Sequence, residues 1–223
     1  MIDFHPIILT LKLSLITVCI LIMIGLPFSW WLARTQCRIK PLLESITALP
    51  LVLPPTVLGF YLLILFSQDG AIGSIWNNVS NTTLLFSLSG LIIASCIYSL
   101  PFVVQPLQAA FEKVDYRIVE AAFTLRASKC RTFFTVILPM IRQGLITAFV
   151  LGFSHTIGEF GVVLMVGGNI PGQTQVISIA IYEAVETLDY TKAHWLSFGL
   201  LLFSIIVLTS VYSINQKWKH QHE

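Results

Sequence analysis

The sequence predicts an all-α integral membrane protein with about five transmembrane helices, and three observations carry that class. Mean hydropathy is +0.83 and 56% of the 223 residues are hydrophobic. Only 11% are charged, against about 25% in soluble domains. The apolar residues also fall in blocks of bilayer length, since one span needs about 20 of them. The blocks are continuous rather than alternating, which selects helices over barrel strands. They lie at about residues 7–33, 45–67, 84–106, 144–166 and 195–215, with a charged loop at about 107–143. No soluble domain fits between them, so residues 1–223 read as a single transmembrane domain.

Basic residues orient the spans. Arg34, Arg38 and Lys40 lie between the first and second; Lys113, Arg117, Arg126, Lys129, Arg131 and Arg142 between the third and fourth; Lys217 and Lys219 after the fifth. Of the 13 Lys and Arg, only Lys12 and Lys192 fall on the opposite side. The positive-inside rule then predicts an outer N-terminus, a cytoplasmic 107–143 loop and a cytoplasmic C-terminus. The tryptophans fit, with Trp30, Trp31 and Trp218 near inner ends and Trp76 and Trp195 near outer ones.

The N-terminus lacks a basic n-region, carries Asp3, and leads into a block too long for a signal-peptide core. It reads as an uncleaved first span, with Lys12 snorkelling outward. The second span carries Pro50, Pro54, Pro55 and Gly59. Proline inside a helix removes a donor and clashes with the preceding turn, so this span is predicted to be kinked or unwound, either lining a pore or packing as a bent helix. Ser87, Ser89, Gly90, Ala94 and Ser95 suit the third span to close helix approach. Cys19, Cys37, Cys96 and Cys130 have no metal-site spacing.

In the charged loop, the stretch from Val114 reads as a short amphipathic helix, with Ala121 and Ala122 as strong helix formers. Ser128 is a candidate cap for a second helix running through Phe133 and Phe134 to Leu138 and into the fourth span. In the fourth block, Glu159 is the informative residue, because a carboxylate in a span faces a protein interior or a cavity. His155, one turn earlier, shares its face and is expected to hydrogen-bond it. That pair reads either as part of a gate or subunit interface, or as a structural tie between helices.

Two motifs carry a resemblance. Glu120-Ala121-Ala122, three residues, position 126, nine residues, Val136, one residue and Leu138-Pro139 resembles the EAA loop of ABC importer permeases, with Leu125, Ala127 and Ser128 also matching. The usual glycine is Arg126 here. Gly158-Glu159-Phe160-Gly161 followed by Gly167-Gly168-Asn169, with the LPLVLPPTVLGF stretch of the second span, resembles the permeases for tetrahedral oxyanions, particularly molybdate. Sulfate permeases tend to carry tyrosine at the position of Phe160, and tungstate permeases diverge around Glu159; both are the neighbouring alternatives.

The resemblance implies a type I ABC importer permease of the bacterial inner membrane, moving molybdate by alternating access. Glu120 to Arg126 would form the coupling helix that docks on a separate ATPase, with Leu138 and Pro139 closing the motif. Pro54, Pro55, Gly59, His155, Gly158, Glu159, Phe160 and Gly161 are the pore and gate candidates. The partners implied are two ATPase copies, a second copy of this chain, a periplasmic oxyanion-binding protein and membrane lipid, with no nucleic acid. The outer segment from Gly168 to His194, with Glu183, Glu186 and Asp189, is either part of the surface that receives the binding protein or a solvated helix. No GxxxxGK[ST] phosphate loop occurs in the chain, so the chain is not expected to be an enzyme. ATP and Mg would belong to the ATPase, with no catalytic residue, cofactor or metal on this chain. A secondary transporter, the rival class, predicts intramembrane relays and inverted repeats, and the sequence offers only Glu159.

Overall fold

The structure, a computed structural model, describes residues 4–219, with side chains as far as Ser210 and at Ser213. Lys217, Trp218 and Lys219, assigned above to the inner face, have side chains outside the described residues, as does Asp3. Among the described residues every regular element is a helix. In order these are α1 (His5–Arg34), α2 (Lys40–Val52), α3 (Pro55–Phe66), α4 (Ala71–Ser80), α5 (Leu88–Glu112) and α6 (Tyr116–Thr124). There follow α7 (Lys129–Thr132), a π-helical turn (Phe133–Ile137), α8 (Leu138–Met140), α9 (Arg142–Gly158), α10 (Gly161–Gly167), α11 (Ile177–Glu186) and α12 (Tyr190–Lys219).

Three helical stretches are long and apolar enough to cross a membrane: α1, α5 and residues Tyr190–Ser210 of α12. Two bent pairs bring the total to five if each pair is one span. In the first, α2 and α3 meet at 111°, so the second predicted span is two helices and starts at Lys40 rather than near residue 45. The Pro54-Pro55 pair explains the bend, because the residue before a proline is pushed out of the α region and Pro55 supplies a preset φ at the first helical position. In the second, Lys129–Met140 and α9 are bent by 73°, and the turn falls at Ile141 (φ −90°, ψ 4°).

The core is α1 packed along α5, and α5 along α9. Small residues bring these helices together: a Cβ at Gly152 would sit 2.6 Å from Val103 Cγ2, and one at Gly144 would sit 2.3 Å from Ala110 Cβ. Such close approach is how helices associate where lipid removes the hydrophobic driving force. Ser29 Oγ donates to the Val104 carbonyl across the α1–α5 seam at 3.2 Å, and Ser87 caps α5 by accepting from the Gly90 N–H at 3.1 Å. The third predicted span is correspondingly displaced: its helix starts at Leu88 and runs on to Glu112.

The fourth predicted span is corrected as well. Residues 144–166 are not one helix; α9 stops at Gly158, Glu159 and Phe160 are non-helical, and α10 restarts at Gly161. α10 lies against α3, where a Cβ at Gly161 would meet Pro55 Cβ at 2.8 Å and one at Gly59 would meet Met165 Cβ at 2.9 Å. Gly59→Leu is expected to cost about 1–3 kcal/mol through overpacking of this seam. Gly158→Ala, whose added Cβ meets nothing within 4 Å, should stay within about 0.5 kcal/mol. Thermal unfolding of the detergent-purified protein checks both.

Candidate functional site

The EAA stretch folds as a helix and a left-handed turn. Asp115 caps α6 by accepting from the Arg117 N–H at 2.9 Å. Of the helix only Val119 is buried, joining a cluster with Leu107, Phe111 and Ile137. Glu120 and Ala121 are exposed, Ala122 half-buried, and Leu125 is 84% exposed. The helix is Tyr116–Thr124, within the stretch read from Val114 as a short amphipathic helix, whereas Leu125 and Arg126, which the resemblance placed in the coupling helix, belong to its terminating turn.

Arg126 takes the conformation that glycine would supply, with φ +59°. The Arg126 N–H donates to the Phe123 carbonyl at 2.9 Å and the Ala127 N–H to the Ala122 carbonyl at 3.1 Å. Those two bonds are a Schellman closure, which satisfies carbonyls that the helix end leaves free. The turn is thus closed in the glycine manner at a cost of about 1–2 kcal/mol for a side chain in this region. Among the described residues the Arg126 side chain makes no hydrogen bond or ion pair. Beyond the turn, Ser128 caps α7 as predicted, accepting from the Arg131 N–H at 3.3 Å. The helix it starts does not run straight into α9, but passes through the π-helical turn and α8, where Leu138 is half-buried and Pro139 exposed.

The gate candidates fall into two groups. Pro55, Gly59 and Gly161 meet at the α3–α10 seam, with Pro54 exposed at the bend beside them. His155, Gly158, Glu159 and Phe160 surround the break between α9 and α10. The expected His155–Glu159 hydrogen bond is absent. His155 Nδ1 instead bonds Ser99 Oγ at 2.9 Å, and its ring stacks on Phe102 with centroids 3.9 Å apart. Ser99 also reaches Thr156 Oγ1 at 3.0 Å. The two residues fail to pair because Glu159 is no longer helical (φ −66°, ψ 131°), so the one-turn spacing does not apply.

Glu159 is 3% exposed, and neither carboxyl oxygen has a hydrogen-bond partner among the described residues. The Ser95 hydroxyl of α5 lies alongside it but outside bonding geometry. Its backbone carbonyl is held by Ser178 Oγ at 2.6 Å, and the Phe160 ring meets Tyr182 at 5.0 Å. Ser99 and Ser178 escaped sequence reasoning because each acts across a long sequence separation. Outside the break, Glu183 accepts from Gln175 Nε2 at 2.7 Å, Glu186 accepts from the Tyr182 hydroxyl, and Asp189 accepts from the Lys192 N–H at 3.0 Å. Among the described residues no three His, Cys, Asp or Glu side chains gather as metal ligands.

The profile of a transport family, described as the binding-protein-dependent transport system inner membrane component, matches residues 10–218. The chain belongs to this family. It is therefore a transport component of the inner membrane rather than a catalytic enzyme. It is 53% identical over 211 residues, 95% of this chain and 93% of the relative, to the molybdenum transport system permease protein ModB of Azotobacter vinelandii. Identity to the ModB of Escherichia coli K12 is 37%, covering 83% of this chain and 81% of the relative. A probable sulfate transport permease, cysT of Chlorella vulgaris, is 32% identical, covering 90% and 75%.

Solved structures agree on the fold. A bacterial alginate ABC transporter, in complex with an alginate-bound periplasmic protein, matches at TM-score 0.75 and 14% identity over 96% of this chain and 78% of that one. The MetNI methionine ABC transporter in inward-facing form matches at TM-score 0.72 and 15% identity over 97% and 95%. The fold is that of a type I ABC importer permease. For the turn, Arg126→Gly is expected to slow amide exchange of Ala127 roughly fivefold, by removing about 1 kcal/mol of left-handed strain. Arg126→Val should accelerate it, and hydrogen exchange with mass spectrometry reads both.

Proposed function

We infer that this chain is the membrane-spanning subunit of a molybdate importer, working as a pair of identical copies with two copies of a separate ATPase and a periplasmic oxyanion-binding protein. The observation that carries the substrate is the 53% identity across nearly the whole chain to a molybdenum permease, well above the 32% to a sulfate permease. The complexed periplasmic protein in the alginate transporter supports the binding-protein partner. In this reading the N-terminus is outside, the C-terminus is cytoplasmic, and α6 lies on the cytoplasmic face.

α6 is then the element that meets the ATPase. Its one buried residue, Val119, fixes it to the bundle, while Ile118, Glu120, Phe123 and Leu125 remain free for a partner groove. An exposed Leu125 at a closed helix end is an apolar anchor of the kind that helix-in-groove docking uses. ATP and Mg act on the partner, whose closure moves α6 and rocks the spans. The α3–α10 seam and the Glu159 break lie where the helices bend and are the parts of the path that change shape. Of the outer acids, Glu186 is the one exposed and bonded only within its own helix, so it contributes to the face that receives the binding protein.

Glu120→Lys is expected to leave membrane insertion intact and to lower ATP-driven uptake at least about tenfold, the scale of losing one interface hot spot. Unchanged uptake would remove α6 from the coupling role. Substrate is tested separately, by molybdate uptake into proteoliposomes against sulfate and tungstate as competitors. Preferential sulfate uptake without molybdate transport would move the chain to the sulfate permeases.

A further inference from the structure

We propose that Arg34 is the positioning residue that passes movement of α6 to α1, by stacking its guanidinium on Tyr116 of α6 and Trp30 of α1. This rests on the coupling role of α6 given above. Arg34 is the last residue of α1, where a cation meets the negative end of the helix dipole. Its Cζ lies 4.6 Å from the centroid of the Trp30 ring and 4.9 Å from that of Tyr116. Trp30 in turn meets Phe111 of α5 edge-on, centroids 5.1 Å apart. One cation thereby joins the first residue of α6 to the seam between the two central helices.

The charge has no carboxylate partner among the described residues, and Arg34 Nη2 is buried without a hydrogen bond. Aromatic faces are its electrostatic partners, and a cation gains more from them as it loses water. A planar guanidinium stacks on a ring in a way a lysine ammonium does not.

α6 has few other ties. It packs mainly on α7 and the π-helical turn of its own loop. A cavity of about 450 Å³, lined by Trp30, Tyr116, Val119, Phe123, Phe133 and Ile137, opens beside it. Val119 is the apolar pivot that remains, and Arg34 is the polar link to α1. With a cavity on one side, displacement of α6 is not carried by continuous packing, so the stacked cation takes the load.

The test uses the assembled transporter in proteoliposomes and reads ATP hydrolysed per molybdate moved. Arg34→Ala and Tyr116→Leu are expected to raise that ratio about three- to thirtyfold, the factor a cation–π contact corresponds to. Assembly by size exclusion should be unchanged. Tyr116→Phe keeps the ring and should keep the ratio; Arg34→Lys should fall between. The double variant should be no worse than either single one, since both remove the same contact. An unchanged ratio in Arg34→Ala, or effects that multiply in the double variant, would overturn the proposal. Should Arg34→Ala fail to assemble, the milder pair decides: Arg34→Lys must raise the ratio while Tyr116→Phe does not, and equal behaviour refutes the link. If Glu120→Lys also leaves the ratio unchanged, the fault lies in the coupling reading of α6 and not in Arg34.

Discussion

Backbone inside a bilayer must find its hydrogen-bond partners within the protein, and the break at Glu159 and Phe160 is where this chain meets that demand most sharply. The carbonyl of Glu159 is released by the end of α9 and taken by Ser178 Oγ of α11. α11 is itself held to α1, because the Ile177 N–H donates to Thr10 Oγ1 at 2.8 Å. Thr10 completes its own bonding by donating to the Pro6 carbonyl at 2.6 Å. A run of hydroxyls thus stitches the broken segment to the first span. It holds the break from which α10 turns aside and packs Gly161 against Pro55.

The bend between α2 and α3 is the complement of that break. Two helices that each change direction within the apolar region need close contact at the corner, and the corner here has no room for side chains at Gly59 or Gly161. Small residues therefore do at this seam what Gly144 and Gly152 do between α5 and α9. In the central trio they fix long helices side by side; at the seam they let two short segments touch without a common axis.

What the sequence made legible follows from which forces are local. Hydropathy located the apolar blocks, and proline chemistry located the bend at Pro54 and Pro55, because both act over a few residues. Ser128 was legible as a cap for the same reason. The end of α9 was harder: Gly158 and Gly161 flank Glu159 and mark a weak point, yet a run from residue 144 to 166 is apolar enough to read as one helix. His155 was misassigned to Glu159 because helical spacing was assumed to continue through that point. Its true partner, Ser99, is on another helix, and no local pattern points to it.

Arg126 shows how a motif outlives its most diagnostic residue. The left-handed turn is demanded by the carbonyls of Ala122 and Phe123, which must be bonded wherever the chain leaves α6. Glycine meets that demand at lower strain, but the geometry is set by the helix end and not by the residue. The consequence is mechanical. With its ends closed by the Schellman turn and the Asp115 cap, and with Tyr116 and Val119 as its ties to the bundle, α6 is held at two points while its Glu120 side stays free. A short helix held in this way moves as a unit when its free face is pushed, whereas one held at a single point would pivot or fray. Arg126 therefore alters the cost of the turn and leaves its geometry intact.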